Sequence, residues 1–177
     1  THYGLALKGK IAEWRDLQRH RMLTQQRQLL TVEEGVGIPK EFEEIDVDGK
    51  NLAHDIYFNH MQKRMGLYHA LAREISPEVA QYVVGFGNLM RWSMVVNLRQ
   101  LYHMLPLRAS PAGHPDYRWL AREMYYKIAA VHPIVALPMQ QFIDFSDEPR
   151  LERLEQLARV KKKLDGLGAE GGDTFGE

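Results

Sequence analysis

Two groups of polar residues have the types and spacing that ligand chemistry uses. The first is Arg19-His20-Arg21, within a stretch from Leu17 to Val32 that contains three arginines and a histidine but no acidic residue. Guanidinium groups match the oxygen geometry of phosphates and carboxylates, so arginines without a local carboxylate predict an anion site. The alternative is a solvated face, or ion pairs with distant acids.

The second group runs from Asn97 to Arg108, and His114 follows six residues later. Arg99 and His103 are one helical turn apart and share a face, whereas Arg108 is expected past the helix end, beside a proline loop. Polar groups that converge from a helix and its following loop suit recognition of a planar ligand. A charged helix face with capping side chains is the alternative.

The elements around the first group follow from periodicity and turn residues. We expect a strand over residues 1–8, broken by Gly9, and then an amphipathic helix over residues 10–20. Residues 21–32 are predicted to be extended, and residues 33–48 to form a loop. Tyr3, Leu5 and Leu7 lie on one face of this strand.

A long helix is predicted between the two groups, from a cap at Asp48 or Asn51 to about Ile75. Ser76 followed by Pro77 predicts the start of a further short helix, because serine caps and proline at the first helical position favour one. The predicted apolar stripe of the long helix comprises Leu52, Ile56, His60, Met61, Leu67 and Leu71.

The second group lies between a predicted strand and a predicted helix, over residues 89–96 and 97–107. Pro115 opens another predicted helix that continues to about Val131, and residues 132–145 contain a short one. A charged helix is predicted over residues 151–164. The inward residues of the helix that Pro115 opens are predicted to be Trp119, Leu120, Met124 and Ile128.

Composition excludes several classes of protein. The 177 residues carry 23 basic and 23 acidic side chains, so we expect no nucleic-acid partner. The absence of cysteine excludes disulfide scaffolds, thiolate zinc sites and cysteine nucleophiles. No run approaches the roughly 18 apolar residues of a membrane span. We expect a cytoplasmic protein with no membrane partner, whose Thr1 is a processed or trimmed start.

The length predicts a single domain over residues 1–165, followed by a disordered, glycine-rich acidic tail over residues 166–177.

His54 and His60 are six residues apart and do not match a helical metal pair such as His-Glu-x-x-His. No metal site is therefore predicted.

Taken together, the two groups resemble the flavin-dependent thymidylate synthases. That family has an Arg-His-Arg-x-x-Ser-x-Asn-Glu-x-Ser-x-Arg-Tyr motif after a helix, then a strand, an Asn-x-Arg helix start, Leu-x-Leu-Arg and a histidine. Here the first motif begins at Arg19, and the second includes Asn97, Arg108 and His114. The order and separations agree over about residues 10–145. The resemblance implies an α+β fold that is helix-rich with a small sheet.

The second half of the first motif departs from the family pattern. Thr24 replaces serine and keeps a hydroxyl, while Gln26 replaces asparagine and keeps an amide. Arg27 replaces glutamate and reverses the charge. In the family this half of the motif holds deoxyuridylate. His2 is too close to the motif to match the family's upstream flavin-contacting histidine cleanly. The remaining replacements are Leu29 for serine, Thr31 for arginine and Val32 for tyrosine.

The resemblance implies a reaction that uses FAD. In family members reduced FAD delivers hydride to the uracil ring, methylenetetrahydrofolate supplies the carbon and NADPH reduces the flavin. Family members are homotetramers with sites between subunits. By position, Arg108 binds dUMP as the catalytic cation at the uracil edge. The other substrate-binding residues implied are Thr24, Gln26 and Arg27, and the FAD-binding residues are Arg19, His20, Arg21, Asn97, His103 and His114.

Two functions follow from this resemblance. One is a divergent FAD-dependent thymidylate synthase that methylates dUMP to dTMP. The other is a non-catalytic flavin- or nucleotide-binding homologue that acts as a partner domain or as half of a tandem protein. A third reading, an RNA-binding helical domain using Arg19, Arg21 and Arg27, is disfavoured by the zero net charge.

Overall fold

The computed structural model of the protein describes residues 1–39, 42, 46–47, 51–146 and 158–162. The backbone divides into two compact units, Thr1–Leu101 and Tyr102–Glu177. Most of the charged helix predicted over residues 151–164, and the tail predicted over 166–177, lie outside the described residues. Residues 158–162 are helical.

The first unit holds the strands and three helices of the described chain. Its main sheet contains three antiparallel strands in the order β1-β5-β2, so the last strand in sequence is the central one. A second pair, β3 and β4, is also antiparallel. The elements are β1 (His2–Lys10), α1 (Ile11–Leu17), β2 (Leu23–Arg27), β3 (Asp46–Val47), β4 (Asn51–Leu52), α2 (Ala53–Glu74), α3 (Pro77–Ala80), a 3-10 turn (Gln81–Val83) and β5 (Leu89–Asn97).

The second unit is helical where it is described. Helix α4 (Leu98–Ala109) begins in the first unit and continues into the second. It is followed by α5 (Pro115–Val131) and α6 (Pro133–Gln140). These helices and the small sheet make up the helix-rich α+β fold that the sequence predicts. In the described part of the chain, no helix is long and apolar enough to cross a membrane.

The two faces of the main sheet have different surroundings. Alternate residues of β5 are buried, from Met90 to Val96, and the residues between them are exposed. The register pairs Leu23 with Val96 and Thr24 with Val95. Because side chains alternate along a strand, Leu23 belongs to the buried face and Thr24 to the exposed one.

Gly9 does not break the first strand, contrary to the sequence prediction. The strand continues to Lys10, and Gly9 pairs with Met90. A Cβ atom at this position would overlap the Glu13 carboxylate and lie 3.2 Å from the Trp92 ring. The glycine is therefore explained by close packing against a helix and a neighbouring strand.

The predicted stripe of α2 was largely wrong. Met61 is buried and Leu71 packs against the core cluster, as predicted. Ile56 and Leu67, however, are each 49% exposed, and the other two predicted residues do not fit either, since His60 is exposed and Leu52 belongs to β4. The other buried residue is Tyr68, which packs with Val32 and Ala80. Residues 61 and 68 are two turns apart, so the helix buries a narrower face than the one predicted.

The face of α5 was predicted correctly except at one residue. Leu120, Met124 and Ile128 are buried, but Trp119 is 55% exposed. The three buried residues follow a spacing of four, whereas Trp119 is rotated about 100° from Leu120.

The prediction that Ser76 caps the short helix α3 is confirmed, since its Oγ accepts a hydrogen bond from the Val79 backbone N–H at 3.3 Å.

Candidate functional site

A cavity of about 340 Å³ lies at one end of the main sheet. Strand β5 is antiparallel to both neighbours, so its end lies beside the beginnings of β1 and β2: His2 pairs with Asn97, and Leu23 with Val96. The topology thus brings the first motif and the second motif together. The lining residues are His2, Arg21, Met22, Leu23, Thr24, Val95 and Asn97.

Asn97 has a structural role as well as a place in the cavity wall. Its Oδ1 accepts a hydrogen bond from the Gln100 backbone N–H at 2.8 Å, which caps α4. Because the oxygen must accept this bond, the side-chain amide has one usable orientation. Its NH₂ group is then the donor available to a ligand.

The three residues of Arg19-His20-Arg21 have different environments. Arg21 is exposed and lines the cavity. Arg19 forms an ion pair with Asp16 at 3.1 Å, so an acid just before the acid-free stretch is its partner. His20 is only 6% exposed. Arg21 is thus the motif residue that presents charge to the cavity.

His20 connects the motif to the start of α4. Its Nδ1 lies 3.2 Å from Nε2 of the buried Gln100, and its backbone oxygen accepts from Gln25 at 3.4 Å. Gln100 also donates its backbone N–H to Asn97. Gln100 therefore links His20, through its side chain, to Asn97 in the cavity wall, through its backbone N–H. Sequence reasoning missed Gln100, although its position three residues after an asparagine is a capping signal.

The predicted substrate-binding residues on β2 lie on two faces. Thr24 lines the cavity, and Gln26 belongs to the same exposed sheet face, opposite Ser93. Arg27 pairs with Trp92 on the other face. Its guanidinium carbon lies 5.2 Å from the Trp14 ring centroid, and its Nη1 donates to the Gln28 carbonyl at 2.9 Å. Arg27 therefore lies away from the cavity.

The residues that replace the end of the family motif lie in the core or in the loop after β2. Val32 is 1% exposed within the cluster of Tyr68 and Ala80. Thr31 accepts the Glu33 backbone N–H at 3.4 Å, while Leu29 is exposed. None of these three replacements lines the described cavity.

A second cluster, in the second unit, contains Arg108, His114 and Tyr117. The Arg108 guanidinium carbon lies 5.6 Å from the Tyr117 ring centroid. His114 caps α5, since its Nδ1 accepts the Asp116 backbone N–H at 3.3 Å, and its ring centroid is 6.4 Å from that of Tyr117. Sequence reasoning missed Tyr117. His103, also predicted, is exposed on α4.

Other charges on the exposed sheet face are neutralised locally. Glu34 accepts from Arg91 at 2.8 Å and pairs with Lys8 at 3.1 Å. Hydrogen bonds from Arg91 and then Lys8 hold the pKa of the Glu34 carboxyl below its usual value. Among the described residues, no group of three or more His, Asp or Glu side chains could hold a metal ion.

Comparison with known proteins decides the family. Residues 2–134 match the family described as thymidylate synthase complementing protein.

The chain belongs to this family. The match covers both motifs, and it confirms the resemblance to flavin-dependent thymidylate synthases that the motifs indicated. 

Curated relatives include two proteins of the same description. The chain is 38% identical over 161 residues to a UPF0159 protein of Chlamydia muridarum (strain MoPn / Nigg). The matched region covers 91% of this chain and 29% of that relative. It is 32% identical over 167 residues to UPF0159 protein Ta1429 of Thermoplasma acidophilum, covering 94% and 32%. The chain therefore spans about a third of the length of these relatives.

Solved structures of this kind share the fold. One is thymidylate synthase X from Helicobacter pylori with FAD and dUMP, with a TM-score of 0.57, 18% identity and coverage of 78% of this chain and 72% of that one. Another is the UMP/dUMP methylase PolB from Streptomyces cacaoi bound with 5-Br UMP, with a TM-score of 0.63, 16% identity and coverage of 80% and 73%. These similarities confirm the predicted fold class.

Proposed function

We propose that this member of the thymidylate synthase complementing protein family binds FAD and methylates dUMP to dTMP. The observation that carries the proposal is the cavity in which Arg21 and Thr24 of the first motif meet Asn97 of the second. These two motifs are far apart in sequence, and the sheet brings three of their polar side chains to one place.

The cavity residues fit part of a flavin dinucleotide. Arg21 offers a cation for an anionic group, Thr24 a hydroxyl and Asn97 an amide donor. His2 supplies an imidazole from the first strand. The volume is near the lower end of the roughly 300–1,000 Å³ of small-molecule pockets, so the cavity would hold a portion of FAD. When bound, FAD would supply the hydride chemistry, with NADPH and methylenetetrahydrofolate as co-substrates.

Arg108 is assigned to the uracil edge of dUMP. A fixed guanidinium there would stabilise negative charge as it develops on the ring, without solvent having to reorganise. His114 and His103 are assigned to the flavin side, as the family motif implies. Arg19 and His20 would act through the position of Arg21, because one is paired with Asp16 and the other is buried.

We further propose the homotetramer of the family, in which several chains contribute ligand groups. Sedimentation velocity of the purified chain, with and without FAD, measures this directly. A monomer at all concentrations in both conditions would contradict the tetramer.

The absorbance spectrum of the purified protein is the first test of the function. A flavin-binding protein is yellow as isolated, or becomes so after added FAD and removal of free cofactor. Retention of about one FAD per chain is the expected result. A chain that neither contains flavin nor retains added FAD would overturn the proposal.

A second candidate function is a non-catalytic flavin- or nucleotide-binding homologue, acting as a partner domain or half of a tandem protein. The observation that favours it is the placement of residues in the second half of the first motif, where this chain departs from the family. Val32 is part of the core, and Arg27 stacks on Trp14. Oxidation of reduced flavin that depends on dUMP, measured with this chain alone, separates the two candidates. Such oxidation would exclude the non-catalytic homologue.

A further inference from the structure

We propose that Tyr117 is a positioning residue for Arg108 and that Gly113 makes room for it. The inference rests on the proposed function for the role of Arg108 toward dUMP. Its structural half, the placement of the guanidinium over the ring, can be tested without any ligand.

The contact between the two side chains has the geometry of a cation–π interaction. The guanidinium carbon of Arg108 lies 5.6 Å from the Tyr117 ring centroid, inside the roughly 6 Å at which such pairs attract. Arg108 is in the last turn of α4, and Tyr117 is in the first turn of α5. The ring therefore contacts a long side chain at a helix end and restricts its rotamers.

Gly113 explains why the ring can lie where it does. A Cβ atom at this position would come within 2.6 Å of Tyr117 Cε2 and 3.1 Å of the Ser110 backbone oxygen. It would also lie 3.1 Å from Cγ of Arg118, a side chain that is only 1% exposed. With backbone on one side and a buried arginine on the other, the tyrosine ring is the group that would have to move.

His114 defines the start of the helix that bears Tyr117. Its Nδ1 accepts the Asp116 backbone N–H at 3.3 Å, and its ring is 6.4 Å from the Tyr117 ring. The tyrosine thus contacts Arg108 and adjoins His114, two residues that the family motif assigns to ligands. A shift of this ring would disturb the arginine before any ligand arrives. The energetic gain is preorganisation, because fewer Arg108 rotamers remain to be ordered on binding.

The ligand-free test is the Nε–Hε resonance of Arg108 in NMR spectra, assigned by its loss in Arg108→Ala. An aromatic ring beneath the guanidinium shifts this resonance, so Tyr117→Leu moves it toward the position of an unstacked arginine. Tyr117→Phe keeps it, and Gly113→Ala moves it although the tyrosine is present. Tyr126→Leu, which changes an exposed tyrosine further along α5, is the matched control and leaves it in place.

The functional test is titration of the same variants with dUMP. We expect Tyr117→Leu to raise the dissociation constant of dUMP roughly three- to tenfold, as for loss of a partly exposed cation–π contact. Tyr117→Phe should stay within about twofold of the unsubstituted protein.

Failure of the inference is distinguishable from failure of the proposed function. If the unsubstituted protein does not bind dUMP but Tyr117→Leu still moves the Arg108 resonance, the nucleotide role is wrong and the positioning stands. If dUMP binds and Tyr117→Leu changes neither the resonance nor the affinity, the inference is overturned. If Tyr117→Leu moves the Arg108 resonance but leaves the dUMP affinity unchanged, the proposed contribution of Tyr117 to dUMP binding is overturned.

Discussion

Arg21 and Arg27 come from the same acid-free stretch, yet the fold gives them different surroundings. Arg21 lines the cavity, whereas Arg27 lies over the Trp14 ring and bonds to its neighbouring carbonyl. The sequence could not separate them, because both are arginines in a stretch predicted to be extended. The separation follows from which sheet face a residue occupies, and that depends on a partner strand far away in the sequence.

This pair supplies a matched test at the residue scale. We expect Arg21→Ala to weaken FAD binding by about tenfold or more, as for loss of a hydrogen bond to a charged group. Arg27→Ala should change it less than about twofold. Flavin fluorescence titration measures both, and equal losses from the two variants would contradict the assignment of the cavity.

Glu34 gives a prediction for stability against pH. Hydrogen bonds from Arg91 and Lys8 lower the pKa of this carboxyl in the folded protein. Its stabilising contribution is therefore present above the unfolded-state pKa and is lost as pH falls through the lower, folded-state value. We expect Glu34→Gln to be less stable than the unsubstituted protein at neutral pH.

The difference between the two proteins should vanish in acid, where both side chains are uncharged. Urea unfolding between about pH 2 and pH 7 measures this difference in the free energy of unfolding. The difference should begin to shrink as the pH falls below the ordinary glutamate pKa of about 4.3. A difference that stays constant across this range would show that the carboxylate charge is not responsible.

At the scale of elements, the sequence predicted β1, β5 and most helices, and it predicted β2 only as part of an extended segment. It did not predict β3, β4 or the pairing of the strands. Alternation predicted which residues of the first strand share its half-buried face, and a serine before a proline predicted the cap at Ser76. The central place of β5 could not be predicted, because pairing of β1 with β5 joins residues on either side of a long helix. The cavity depends on that pairing. On α2 the buried face is narrower than the predicted one, and on α5 the single error is Trp119, which lies outside the buried face.

Gly9 and Gly4 test the close approach of β1 to its neighbours. A methyl group at Gly9 would overlap the Glu13 carboxylate, which accepts the Lys10 backbone N–H at 3.1 Å. We expect Gly9→Ala to lower the free energy of unfolding by about 1–3 kcal/mol, as for an overpacked site. Chemical denaturation measures this change.

Gly4→Ala is the control for that substitution. It lies on the same strand, and a Cβ there would have no heavy atom within 4 Å. Its effect should be within about 0.5 kcal/mol. Equal destabilisation by both substitutions would indicate a general cost of alanine in this strand and contradict the packing argument.

For the whole molecule, the cavity and the Arg108 cluster belong to different compact units. All the cavity residues lie in Thr1–Leu101, and Arg108, His114 and Tyr117 lie in the second unit. The motifs were sufficient to predict the family and the fold class. They did not show that the second motif is shared between two units, since its residues are close together in sequence.

We expect Arg108 and Arg21 to affect different ligands, because Arg108 is assigned to dUMP and Arg21 to FAD. Arg108→Ala should weaken dUMP binding at least about tenfold and change FAD binding less than about twofold, since truncating a charge-assisted contact costs roughly 1.5–3 kcal/mol. Arg21→Ala should do the reverse. Calorimetric titration of each ligand into each variant checks this, and equal losses for both ligands in either variant would contradict it.

The two roles of Asn97 affect what its retention in related proteins can tell us about their activity. The same side chain starts a helix and faces the cavity, so selection for a stable fold alone would keep it. A descendant that lost its chemistry would still carry the asparagine, and a motif search would find it as readily as an active enzyme. Thr24 is an exposed strand residue that lines the cavity and starts no helix, so its hydroxyl is the better guide to which descendants still bind a ligand.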